Sequence, residues 1–127
     1  MWVWSQRDGT MTRADLGTEV FSGYSGAPEA KNDPARQAEH NVGPIPVGVY
    51  SIQDPVDTML HGPFVLALTP DLRNQMFGRS GFFIHGPSMD PAKFGQESKG
   101  CIVIMHASRE KVSEMGVNRL QVIAYGG

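Results

Sequence analysis

The sequence is short of everything that would tie it to a membrane, a nucleic acid or a disulfide scaffold. Its 127 residues include one cysteine, Cys101, so no disulfide can close within the chain. The thiol is left as a buried small hydrophobe, a reactive group or a link to another chain. No apolar run approaches the roughly 18 residues of a membrane span. The start, Met1 to Asp8, lacks the basic then apolar stretch of an export peptide, so neither membrane insertion nor a Sec-type signal peptide is expected. The 11 basic residues are scattered and outnumbered by 13 acidic ones, which removes the electrostatic footprint of a nucleic-acid binder. There is no repeat, no low-complexity tract and no shift in composition, so residues 1–127 are expected to form a single domain. A chain of this length can bury about two-thirds of its unfolded surface, enough for a core without staples.

What is abundant is punctuation. Fifteen glycines and nine prolines break the apolar stretches too closely for long helices, which predicts a mainly β fold. Strands are expected at Trp2 to Ser5, Leu16 to Ser22, Gly48 to Gln53, Phe64 to Thr69, Phe82 to His85, Gly100 to Met105 and Arg119 to Tyr125. Several alternate poorly, which favours a two-layer sandwich or curled barrel over an open sheet. Asp8-Gly9 predicts a tight primed turn for the first hairpin. Gly23 to Pro46 has no clean period and reads as a long covering loop, with a short helix at Ala35 to His40 behind the Asn32-Asp33-Pro34 start signal. A second helix is expected at Ser108 to Met115, opened by a shifted capping box and ended by Gly116.

The chemistry concentrates around the lone cysteine. His85-Gly86 stands sixteen positions upstream of it (101 − 85), after the apolar run Gly81 to Ile84. Cys101 precedes Ile102-Val103-Ile104, and the interval Pro87 to Gly100 reads as a polar loop. Two strands could therefore hold a base and a sulfur nucleophile together. A histidine packed against a thiol lowers its pKa and supplies the later proton. Equally, Cys101 read alone is a buried apolar residue, and His85 a satisfied histidine at a strand end. Glu97 and Lys99 read as solvated loop charges. His40, His61 and His106 invite a zinc reading with Cys101 or His85, but none has the close ligand pairing of zinc sites, so no metal is expected. Trp2 and Trp4 read as packing residues, while Tyr24 between glycines could line a groove.

The ordered set Gly43-Pro44-Ile45-Pro46-Val47-Gly48-Val49-Tyr50, Phe83-Ile84-His85-Gly86 and Ser98-Lys99-Gly100-Cys101-Ile102 resembles the L,D-transpeptidase catalytic domain. Within that group it is most similar to the small L,D-transpeptidase effectors of bacterial type VI secretion systems. The resemblance implies an L,D-transpeptidase-like β-sandwich with one or two short helices and a long covering loop. It implies peptidoglycan stem peptides as substrate, an immunity protein as a further partner, and neither metal nor organic cofactor. Carried over, Cys101 is the nucleophile, His85 the base and the Gly86 carbonyl the acceptor that sets the imidazole tautomer. The backbone around Lys99, Gly100 and Cys101 would face the oxyanion, and Ser98 would orient that loop or touch substrate.

The chain departs from the family at two positions and in its start. Lys99 stands where most members carry a polar residue or histidine. Val103 replaces an arginine and cannot grip a carboxylate, which leaves Arg79 or Arg109 for that contact. The missing export segment fits a cytoplasmic protein, or one injected by a secretion machine and active in the periplasm of the target cell. Two other readings stand beside the enzyme. One is a catalytically silent wall-binding or partner-binding module on the same fold. The other is a papain-like hydrolase, which the order His85 before Cys101 disfavours.

Overall fold

The structure is a computed structural model that describes residues 1–13, 20–87 and 98–125. Among these lie ten strands: β1 (Trp2–Ser5), β2 (Thr10–Arg13), β3 (Val20–Ser22), β4 (Tyr24–Ser25), β5 (Gly48–Ile52), β6 (Val56–Thr58), β7 (Gly62–Pro70), β8 (Phe83–His85), β9 (Ile102–Val103) and β10 (Arg119–Ile123). One helix, α1 (His106–Glu114), follows β9. The fold is mainly β, as the spacing of glycine and proline predicts.

The strands hydrogen-bond in the order β3-β2-β1-β10-β5-β7-β8-β9-β4, with β6 added to β7. The two ends of this path, β3 and β4, are neighbours in sequence with Gly23 alone between them. A single residue joins opposite edges, so the sheet must curl until it nearly closes. Trp2 and Trp4 of β1 therefore share one buried cluster with Tyr50, Leu66, Ile84, Ile102 and Leu120. Gly23 sits at the seam, where a side chain would stand 2.0 Å from the Val103 carbonyl oxygen.

Several local expectations are corrected. The first hairpin is closed by four residues, Gln6 to Gly9, with Gly9 at φ 64° and the Ser5 hydroxyl donating to Asp8 Oδ2 at 2.7 Å, so it is not the two-residue primed turn. Only Pro34–Arg36 of the helix expected at Ala35 to His40 forms, as a 3-10 turn capped by Asp33, whose Oδ1 accepts from the Ala35 amide at 3.1 Å. The chain then doubles back, and Gly43 is pressed against the Arg36 carbonyl. Helix α1 starts two residues before Ser108 and has no side-chain cap; Arg109 instead returns to the Ile104 carbonyl at 2.6 Å. Gly116, at φ 69°, follows its end. Part of the strand expected at Leu16 to Ser22 lies outside the described residues, as do Glu97 and most of the Pro87 to Gly100 loop. Strands β2, β4 and β6 escape sequence reading because each is two to four residues long, too short to establish a period.

The expected strand from Gly100 to Met105 shrinks to Ile102–Val103. Three consecutive carbonyls ahead of it are taken by side chains: Lys99 O by Arg79 at 3.1 Å, Gly100 O by the Ser25 hydroxyl at 2.7 Å and Cys101 O by the Ser98 hydroxyl at 2.6 Å. Those groups are unavailable to a strand ladder, so the segment bends. Replacing Gly23 by alanine forces a Cβ into backbone at the seam and is expected to cost about 3 kcal/mol. Thermal unfolding should show this as a fall in Tm of roughly 10 °C; an unchanged Tm would mean that the seam can open without loss.

Candidate active site

Strand β8 runs parallel to β9, with Ile84 opposite Ile102 and His85 opposite Val103. Phe82, Ile84, Ile102 and Ile104 belong to the core. Alternation turns Phe83, His85, Cys101 and Val103 to the other face. The register therefore sets His85 and Cys101 on one side, two residues apart along the strands. There they line a cleft of 1140 Å³ together with His61, Leu60, Gly81, Lys99 and Met105.

A ring nitrogen of His61, a ring nitrogen of His85 and the Cys101 sulfur lie within 4.8 Å of one another. His85 is 2% exposed. Its Nδ1 is 3.0 Å from the Gly86 carbonyl oxygen, and because a carbonyl only accepts, Nδ1 carries the proton. Nε2 is then a bare lone pair, buried and without a hydrogen-bond partner. Among the described residues this ring therefore offers a free acceptor nitrogen in the same cluster as the Cys101 thiol. Desolvation holds the His85 imidazolium off, bringing its pKa down to about 4; the Gly86 bond opposes this, and the charges of His61 and Arg109 add to it. Burial likewise pushes the Cys101 thiol up, against the Phe83 amide and the charge of Arg79. The cleft therefore sets a neutral thiol beside a neutral imidazole. This corrects the expectation that the histidine lowers the thiol pKa: both groups are too desolvated to charge separately.

Two buried arginines brace the site. Arg79 donates to the carbonyls of Gln37, Pro44, Gly43 and Lys99 and lies over the Phe82 ring at 5.1 Å. Arg109 donates to Phe64, Ile104 and Pro63 carbonyls at 2.9, 2.6 and 3.1 Å. One or the other was expected to hold a substrate carboxylate; both line the cleft, but backbone carbonyls engage most of their N–H groups. Ser98 is also structural, since its buried hydroxyl accepts from the amides of Gly26 and Gly100 while donating to Cys101 O. That bond takes the Gly100 amide away from any oxyanion and leaves the amides of Lys99 and Cys101 of the expected set. Gly100, at φ 135°, is demanded by Arg79, whose Nη2 would stand 2.5 Å from a Cβ. Tyr24 pairs with Val103 in β4, beneath the Lys31 ammonium at 4.4 Å, and is not among the residues that line the cleft.

His61 is the residue that sequence reading set aside. It lies 24 positions before His85 (85 − 61), on the β6–β7 hairpin, and its only signal is that His61-Gly62 repeats the dipeptide His85-Gly86. The cluster of two histidines and a cysteine has the donor types of a zinc site. Its geometry does not converge. The two imidazoles stack with centroids 4.3 Å apart and planes 15° from parallel, so their lone pairs lie in separate, nearly parallel planes that no single ion can meet.

Comparison with known proteins points the same way as the fold. The family model of the Tlde1 domain matches residues 19–125. Among solved structures, the helical cell shape determining protein Pgp2 from Campylobacter jejuni is similar, with a TM-score of 0.59 and 18% sequence identity over 99% of this chain. The alignment covers 48% of that protein, so the chain spans about half its length. At this identity the likeness is one of fold. No curated protein matches the chain.

A thiol pushed above its ordinary pKa gains thiolate only as pH rises past that value. Alkylation of Cys101 by iodoacetamide in the free protein is therefore expected to be slow at pH 7 and to climb with a midpoint above 9.0. A midpoint at or below pH 7, followed by mass spectrometry, would show a preformed thiolate and imidazolium instead.

Proposed function

We propose that this chain, which belongs to the Tlde1 domain family of type VI secretion L,D-transpeptidase effectors, is a cysteine-dependent enzyme of peptidoglycan stem peptides. Membership associates it with peptidoglycan modification. The finer reading is an L,D-carboxypeptidase or L,D-transpeptidase that works through a thioester on Cys101. The observation that carries it is the unpartnered Nε2 of buried His85 in one cluster with the sulfur.

In this reading the Cys101 sulfur attacks the carbonyl that joins the third stem residue, a diamino acid, to the fourth, D-alanine. Its proton passes to His85 as the C–S bond forms, because separate ionisation is strongly disfavoured by both pKa shifts. The amides of Lys99 and Cys101 steady the tetrahedral oxyanion. His85 then returns the proton to the leaving D-alanine nitrogen, and the C–N bond breaks to leave the thioester. Water resolves it to the shortened peptide; an incoming amine resolves it to an exchanged or cross-linked product. The exposed Lys99 ammonium on the cleft wall takes the carboxylate contact that Val103 cannot make.

Incubation with a tetrapeptide stem is expected to release D-alanine and to leave an acyl mass on Cys101. Cys101→Ala should reduce turnover by at least a thousandfold; full turnover by that variant would sink the mechanism. Burial of the thiol is the observation that favours a second reading, a recognition module that binds stem peptides without turning them over, and the same incubation separates the two. For the place of action, we propose delivery by a secretion machine into the target periplasm. Expression behind an added export signal should then stop growth, and cytoplasmic expression should not. Equal growth in both would count against this placement.

A further inference from the structure

We propose that His61 is a positioning residue whose ring is the flat support that keeps His85 aimed at Cys101. The proposal rests on His85 being the base. A single hydrogen bond from Nδ1 to the adjacent Gly86 carbonyl selects the tautomer, yet it leaves the ring free to hinge about the line joining those atoms. A ring that tips out of plane carries Nε2 away from the sulfur, and general-base transfer tolerates little such error. Something must cover the face. His61 does so, stacked at 4.3 Å and 15°, and is itself backed by the Phe83 ring at 5.3 Å and 45°. His61 has no side-chain hydrogen bond among the described residues, so its placement comes from the hairpin beneath it.

That hairpin is held in an unusual shape. The Thr58 hydroxyl accepts from the His61 amide at 2.9 Å, and Asp57 Oδ1 accepts from the Phe64 amide at 3.1 Å. Phe64 lies at φ 55°, a left-handed conformation that is strained for a bulky residue and persists only where its surroundings impose it. Arg109 supplies the restraint. Its guanidinium holds the carbonyls of Pro63 and Phe64 just after the hairpin turn and that of Ile104 just beyond β9, and its Nη1 would stand 2.5 Å from a Cβ on Gly86. One buried side chain thus ties the hairpin that carries the support to the strand after the nucleophile and to the glycine that anchors the base.

The test compares His61→Ala, His61→Leu and His61→Phe in the full chain. Alanine and leucine are expected to lower kcat on a tetrapeptide stem about 10- to 100-fold with KM within about threefold, while phenylalanine, which restores a flat face, stays within about threefold in kcat. Tm should be similar in all three. In NMR spectra taken without peptide, His85 should keep one Nδ1–H tautomer in all four proteins, held by Gly86, while its ring signals stay sharp in the parent and in His61→Phe and broaden by exchange in the other two; equally sharp ring signals in all four would overturn the proposal. Wild-type kcat in His61→Ala, equal kcat in the leucine and phenylalanine variants, or a loss confined to KM would overturn the proposal. Because the spectra need no substrate, they decide it even if the parent proves unable to turn over stem peptides, a result that would count against the enzyme reading alone.

Discussion

The site depends on the parallel pairing of Phe83–His85 with Ile102–Val103. Pairing Ile84 with Ile102 buries both in the core and thereby turns His85 and Cys101 to the opposite face. A slip of one residue in either strand would put an isoleucine on the cleft and a polar group in the core, so the same hydrophobic burial that stabilises the sheet also enforces the juxtaposition of His85 and Cys101. Parallel neighbours cannot be joined by a tight turn, and the 16 residues from 86 to 101 separate β8 from β9 in the chain. The seam at Gly23 completes the arrangement from the other side, by holding β4 against β9 while β3 closes the far edge.

Around this pair the backbone is held by side chains more than by a ladder. Arg79, Ser25 and Ser98 donate to the carbonyls of Lys99, Gly100 and Cys101 in turn, and the covering loop from Gly43 to Ile45 is joined to the same network through Arg79 and the Ser25 hydroxyl. Buried arginines are costly unless their N–H groups are met. Here carbonyls meet them, and among the described residues neither forms an ion pair. Their positive charge acts on the cleft pair, where Arg79 favours a negative sulfur and Arg109 disfavours a positive His85. A bracing requirement and an electrostatic one are satisfied by the same two side chains.

Desolvation sets the resting state of the chemistry. His85 stays neutral to about pH 4 and the thiol stays protonated beyond its ordinary value, so the cleft at rest stores no ion pair. In the proposed mechanism such a site is chemically quiet until a substrate carbonyl offers the sulfur's charge somewhere else to go. The stacked ring of His61 adds to that quietness, because a charge on it further disfavours a charge on His85.

Much of this was legible one residue at a time. The density of glycine and proline determined a strand-rich fold, the apolar runs located most of the longer strands, and the ordered motifs around His85 and Cys101 marked where the chemistry lies and which family the chain belongs to. These are local or ordered signals, carried by neighbours in the chain. What the motifs could not convey is which polar groups are already engaged. Arg79, Arg109 and Ser98 look like substrate ligands in sequence because they are charged or polar near a motif; only folding brings them the carbonyls that occupy them. His61 was set aside and the seam at Gly23 went unread for the converse reason, since their partners lie 24 to 80 positions away (His85, and Val103 against Gly23) and contact at that separation is decided by how the sheet curls, not by any spacing along the chain.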